Sequence, residues 1–193
     1  MVNGIGAEMD QKTNILGFAG SLRAGSYNRA LLRATLELLQ GETNLEIFEL
    51  NGIPPYNQDF DSSVPKKVKE FKRKIKAADA ILIVTPEYNY SIPGVLKNAI
   101  DWASRPYGDN SLDSKPVAIM SASTGMLGGA RAQYHLRQTF VFLNMYPVNK
   151  PEVMVNFAAQ KFDEKGNLLD QKTKDLIKQL LGNLVSWSKK LKG

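Results

Sequence analysis

The chain has 193 residues, 43% of them hydrophobic and 23% charged, with no cysteine and a formal net charge of +6. That length holds one well-buried α/β domain and is short for two, and the ordinary apolar content excludes overall disorder. The lack of cysteine excludes disulfides, thiol catalysis and thiolate metal sites.

The start, "MVNGIGAEMDQKTN", shows no basic segment followed by an apolar stretch, so no export leader is expected. "NILGFAG" (14–20) is a nearly unbroken apolar run and reads as a strand buried on both faces. "YNRALLRATLELLQG" follows as a helix with Leu32, Leu36 and Leu39 on one face and Gly41 at its end. "LEIFEL" (45–50) alternates and reads as a less buried strand at a sheet edge, and "NGIPPYNQDFDSSVP" reads as a surface loop. The helix over 65–77 carries "KKVKEFKRKIK". With "SKKLKG" at the far end of the chain it holds the densest positive charge, read as solvated helix faces. No recognition motif or basic stripe with stacking aromatics accompanies these lysines, so no nucleic-acid partner is expected.

"DAILIVTP" (79–86) is the clearest strand. The helix after it places Val95, Leu96, Ala99, Ile100 and Ala103 at helical spacing, with Pro93 in its first turn. "KPVAIMSAS" (115–123) is another buried strand, and "GGARAQYHLRQTFVFLNM" another helix. "FVFLNMYP" (140–147) is apolar nearly all round, which predicts burial on more than one side, against a second subunit or against this chain's own core. "PEVMVN" (151–156) is a short last strand before a helix striped by Ile177, Leu180, Leu181, Leu184, Val185 and Leu191. No run of about 18 apolar residues is present, so no membrane span is expected, and the cytoplasm is the expected location.

Five β-α repeats predict right-handed crossovers and a doubly wound parallel sheet in the order 2-1-3-4-5, with helices on both faces. Ligands of such sheets bind beyond the strand carboxyl ends, where the winding direction switches. Three motif-like loops then share one crevice: "GSLRAGSYN", "TPEYNYSIPG" and "SASTGMLGG".

The first offers helix-start amides, the hydroxyls of Ser21 and Ser26, the Arg23 guanidinium and the Asn28 amide. That set suits an anion, although Ser26 or Asn28 could equally be a plain helix cap. It lacks the lysine of a triphosphate loop and the glycine spacing of a dinucleotide loop, which leaves a terminal monophosphate. In the second loop, prolines bracket Glu87, Tyr88, Asn89 and Tyr90. The tyrosines can cover a flat ring and Asn89 can read its polar edge, or the aromatics pack on the core. The third loop, with Ser121, Ser123, Thr124 and Gly125, allows close backbone approach. A flat heterocycle with a phosphate tail, such as flavin mononucleotide (FMN), fits the three together.

"GSLRAGSYNRAL", "VTPEYNYSIPGVLKNAIDWAS" and "GGARAQYHLRQ" resemble the NAD(P)H-dependent FMN reductase family, and within it the chromate and quinone reductase branch. The resemblance runs from about residue 14 to the last helix. It implies a flavodoxin-like α/β fold over 13–193 as one FMN-binding domain, with residues 1–12 a mobile extension. It implies bound FMN, NADPH or NADH as co-substrate, and ping-pong two-electron reduction of small acceptors such as quinones, azo compounds, chromate or ferric complexes. It implies a homodimer or homotetramer. Ser21, Arg23, Ser26 and Asn28 should hold the FMN phosphate, with Tyr27 also in the cofactor-binding set. Pro86, Glu87, Tyr88, Asn89 and Tyr90 should border the ring, and Ser121, Ser123, Thr124 and Gly125 should approach its pyrimidine side. No side chain is needed as acid or base, since FMN carries the hydride chemistry. Glu87 is read as a positioning or interface residue and the lone His135 as structural; no metal is expected. A flavodoxin-type electron carrier or a redox sensor would use the same site, but such carriers are typically acidic and this chain is basic.

Overall fold

The computed structural model describes residues 12–192; all but the last residue of the expected N-terminal extension lies outside them. Strands β1 (Thr13–Ala19), β2 (Thr43–Phe48), β3 (Ala80–Val84) and β4 (Pro116–Ala122) alternate with helices α1 (Tyr27–Ala34), α2 (Lys66–Ala77), α3 (Gly94–Ala103) and α4 (Ala130–Leu143). Two short strands, β5 (Tyr146–Pro147) and β6 (Val153–Val155), precede the long helix α5 (Gln171–Lys192). The sheet is parallel throughout, in the order β2-β1-β3-β4-β5, with β6 also on β4.

Strand side chains alternate between faces, and the two cores follow from that. Ala80, Leu82 and Val84 of β3 pack with Leu31 and Leu32 of α1 and Ile177, Leu180 and Leu184 of α5. Ile81 and Ile83 face the other way, toward Phe71 and Ile75 of α2, Leu96 and Ile100 of α3, and Leu136 and Phe140 of α4. The central strand β3 is therefore apolar and buried without a break, as a strand covered on both faces requires, whereas the edge strand β2 exposes Asn44 and Glu46.

Three expectations need correction. The first helix ends early, at Ala34, and continues as a 3₁₀ turn over Thr35–Glu37. The Thr35 hydroxyl donates to the Leu32 carbonyl at 2.5 Å. The tighter winding advances each residue by about 120° instead of 100°, so Leu36 turns out to 46% exposure while Leu32 stays buried.

The run 140–147 is not helical throughout, and within this chain it is buried on one side only, so the chain's own core covers just part of it. Phe140, Leu143 and Met145 are buried, but Val141 and Phe142 are 84% and 85% exposed. Tyr146 and Pro147 leave the helix altogether and form β5.

The fifth strand comes in two pieces. Tyr146 and Pro147 lie beside Pro116 and Val117, and Val153 to Val155 lie beside Met120 to Ala122. Pro147 and Pro151 cannot donate to a ladder, and the strand breaks between them.

The reversal of strand order falls between β1 and β3. There the Gly20 amide donates to the Val84 carbonyl at 2.8 Å, and the Thr85 amide to the Met120 carbonyl at 2.9 Å. The Ser123 amide donates to the Val155 carbonyl at 2.9 Å. The loops after β1, β3 and β4 are thus stitched side by side at one end of the sheet.

Candidate functional site

The loop after β1 combines a helix cap with free donors. Ser26 is the N-cap of α1; its Oγ accepts from the amides of Asn28 at 3.2 Å and Arg29 at 3.5 Å. Its hydroxyl hydrogen remains available, so capping and ligand binding are compatible. Among the described residues, the amides of Leu22 to Gly25 have no protein acceptor. Ser21 is 4% exposed, and its hydroxyl makes no bond to another described residue. Arg23 is exposed, has no carboxylate partner among the described residues, and lies 6.0 Å from the Tyr27 ring centre. Unpaired amides, a near-buried free hydroxyl and an unpaired guanidinium at one helix start fit a phosphate monoester.

Two residues expected at the cofactor also have side-chain partners in the protein. The Asn28 Nδ2 donates to the Ala122 carbonyl at 2.9 Å, and its Oδ1 accepts from the Ala122 amide at 2.8 Å. The Tyr27 ring packs on Phe162, 5.5 Å between centres.

In the loop after β3, Pro86 is buried and the next residues form a minimal hairpin. Tyr88 and Ser91 exchange two backbone bonds, each of 3.0 Å. Asn89 and Tyr90 between them have φ of 50° and 65°, the left-handed pair of a type I′ turn. Tyr88 and Tyr90 are 50% and 66% exposed. They therefore do not pack on the core and keep exposed surface that can cover a flat ligand.

Glu87 turns away from solvent, its side chain 12% exposed. Its carboxylate accepts from the amides of Arg131 (2.9 Å) and Ala132 (3.3 Å) and pairs with the Arg131 guanidinium (2.9 Å).

The loop after β4 divides into a buried root and an exposed tip. Ser121 is fully buried. Its hydroxyl donates to the Gly128 carbonyl at 2.6 Å and accepts from the Gln133 amide at 2.7 Å. Ser123 turns its hydroxyl onto the Gly125 amide at 3.1 Å, while Thr124 and Gly125 are exposed. Gly129, with φ of 91°, sits where a Cβ would come within 2.7 Å of the Ser121 Cβ.

Residues not anticipated for the site adjoin it. Met126 and Leu127 are 70% and 43% exposed at the loop tip. The Phe157 amide donates to the Gly125 carbonyl at 3.3 Å from a left-handed backbone, φ 47°. Arg131 and His135 grip the hairpin from α4, with the Arg131 guanidinium 3.7 Å from the Tyr90 ring centre and the His135 Nδ1 3.0 Å from the Ser91 Oγ. Only the helical spacing of 131 and 135 hinted at a shared face; their partners lie some 40 residues upstream.

The sequence profile of the NADPH-dependent FMN reductase family matches residues 13–160. The chain is 50% identical over 186 residues to the NAD(P)H-dependent FMN reductase of Pseudomonas aeruginosa, covering 96% of this chain and 100% of that protein. It is 40% identical over 168 residues to a 2-hydroxy-1,4-benzoquinone reductase of a Burkholderia species, covering 87% and 92% of the two chains. Among solved structures, the flavoenzyme NAD(P)H:acceptor oxidoreductase FerB of Paracoccus denitrificans superposes with a TM-score of 0.85 at 34% identity, over 92% of this chain and 98% of that one. The doubly wound sheet, the anion cradle and the tyrosine-bearing hairpin thus stand in a chain that belongs to the NADPH-dependent FMN reductase family, oxidoreductases that work with FMN and a reduced nicotinamide dinucleotide.

Proposed function

We propose that this protein transfers two electrons from NADPH or NADH to small quinone-type acceptors, using FMN held beyond the carboxyl ends of β1, β3 and β4. One observation carries the reading: the cluster of unpaired donors at Ser21–Gly25, with the free Arg23 guanidinium, beside a hairpin that exposes two tyrosines. Bound FMN supplies the electron exchange between dinucleotide and acceptor. The chain supplies position. The amides of Leu22 to Gly25, the Ser21 hydroxyl and Arg23 bind the phosphate, while the loop tips at Tyr88–Tyr90 and Ser123–Gly125 orient the ring. Thr124 and Gly125 bring exposed backbone to that end of the sheet, where amide donors favour a reduced, anionic ring.

The test is spectral and kinetic. Purified protein should bind FMN, NADPH should bleach it, and benzoquinone should restore it over many turnovers. Dinucleotide and acceptor share one space in turn, so double-reciprocal plots should be parallel; intersecting lines would show both bound together. A colourless protein that ignores added FMN would defeat the reading. Bleaching without turnover on quinones, azo dyes, chromate or ferric chelates would favour an electron carrier or sensor. Reduced dinucleotides are the fuel, so the cytoplasm is the compartment this reading calls for.

The reading includes a homodimer or homotetramer. Val141 and Phe142 expose their side chains on α4, and Tyr134, on the same helix, is 52% exposed. Solvent-exposed aromatics and branched aliphatics grouped on one helix suit a second copy of the chain. Light scattering should give a multiple of the chain mass; a concentration-independent single-chain mass would overturn that part.

A further inference from the structure

We propose that Glu87 is the positioning residue of the ring-border hairpin: its carboxylate ties residues 88–91 to the first turn of α4 and so holds the conformation that meets the flavin. The inference rests on the FMN reading but concerns a different question, what keeps the hairpin in shape.

The hairpin is strained by its own sequence. A type I′ turn wants glycine or asparagine at both central positions. Asn89 suits its place, but Tyr90 at φ 65° does not. Such conformations persist where the surroundings over-determine them. Within the turn only the two Tyr88–Ser91 backbone bonds hold it, and a lone two-residue hairpin is marginal in water.

The remaining restraint comes from α4, at three points. Glu87 takes the amides of Arg131 and Ala132 just before the hairpin begins. Arg131, held by Glu87 at 2.9 Å, lays its guanidinium over the Tyr90 ring at 3.7 Å. His135, one turn further along, meets Ser91 at 3.0 Å where the hairpin ends. Glu87 takes part in the first two of these. It anchors the hairpin's entry directly, and it orients the Arg131 that stacks on the turn. It also occupies the start of α4, whose N-cap residue Gly129 offers no side chain. That helix start is consequently filled by the protein's own carboxylate, unlike the start of α1.

The experiment reads the hairpin without the cofactor. Amide hydrogen exchange of apo protein should show Tyr88 and Ser91 protected in the wild type and exchanging about tenfold faster in Glu87→Ala. Amides of β3 and β4 should be unchanged. Glu87→Gln keeps an oxygen that accepts from the α4 amides and should retain most of the protection. FMN affinity, followed by flavin fluorescence, should weaken about tenfold in Glu87→Ala. Equal protection in wild type and Glu87→Ala would overturn the proposal, as would an exchange increase spread evenly over the sheet. If Glu87→Ala does not fold, Arg131→Ala removes the Tyr90 stack together with the Glu87 ion pair and keeps the amide bonds, and unchanged exchange at Tyr88 and Ser91 there would overturn it. A wild type that binds no FMN would defeat the cofactor reading and leave the exchange result standing.

Discussion

The side chain of Asn28 closes a two-bond ring with the backbone of Ala122, donating to its carbonyl at 2.9 Å and accepting from its amide at 2.8 Å. The two residues are 94 positions apart, and both are buried. The contact joins the first turn of α1 to the last residue of β4, so it fixes the loop after β1 relative to the glycine-rich loop. Asn28→Ala strands a buried N–H and a buried C=O. Each such loss costs about 1–3 kcal/mol, so urea unfolding should show a stability loss of about 2–6 kcal/mol with an unchanged slope. A variant within about 0.5 kcal/mol of wild type would show that the ring contributes little.

Arg23 and Ser26 should separate binding from folding. Arg23 has no hydrogen bond or ion pair to lose among the described residues and only a distant contact with the Tyr27 ring, so Arg23→Ala should leave the melting temperature in place and weaken FMN binding about tenfold, the worth of one charge-assisted bond. Ser26 caps α1, so Ser26→Ala should cost about 1 kcal/mol of stability as well as affinity. Unchanged flavin affinity in both variants would remove these residues from the phosphate site.

Two glycines make an opposite pair. Gly129→Ala puts a methyl group 2.7 Å from the Ser121 Cβ at a φ of 91°, and should destabilise by about 2 kcal/mol or more. Gly182 lies within α5 with nothing inside 4 Å of an added Cβ. Gly182→Ala should therefore stabilise by up to about 1 kcal/mol. Thermal unfolding of the two variants checks both signs.

Acid should weaken the fold partly through Asp170. This residue caps α5, accepting from the Thr173 hydroxyl at 2.5 Å and the Thr173 amide at 2.8 Å. Those bonds, the hydroxyl's foremost, hold its carboxyl below the usual aspartate range. A depressed folded-state value means the unfolded chain binds the proton first as pH falls. The stabilisation is complete above about pH 4, the unfolded value, and is lost as pH falls through the lower folded value. Asp170→Asn should flatten the stability profile below about pH 4. An unchanged acid limb would place the sensitivity elsewhere.

The layout of the sheet was legible because both of its faces are covered: "AILIV" and "VAIMSA" admit few other readings. The three loops were legible for the same reason, since parallel strands put every strand-to-helix turn at one end. What escaped notice was tertiary. Asn28 reads as a phosphate ligand because its amide suits one, and no local pattern shows that the same amide also bonds Ala122. Ser121 belongs to a buried strand by its sequence, but no local pattern shows that Gln133 and Gly128 take up its hydroxyl. The split of the fifth strand was written in Pro147 and Pro151, but an apolar run beside them read more strongly as helix.

That split has a bearing on how copies of this chain can meet. An intact edge strand offers a row of unpaired amides and carbonyls, an open template for another chain. Here the lane beside β4 holds two residues, then a break, then three, and Pro147 and Pro151 interrupt its donors. No long ladder can be extended from that side. Copies that assemble there must recognise one another through side chains on helices, which can be selective, and not through backbone, which cannot.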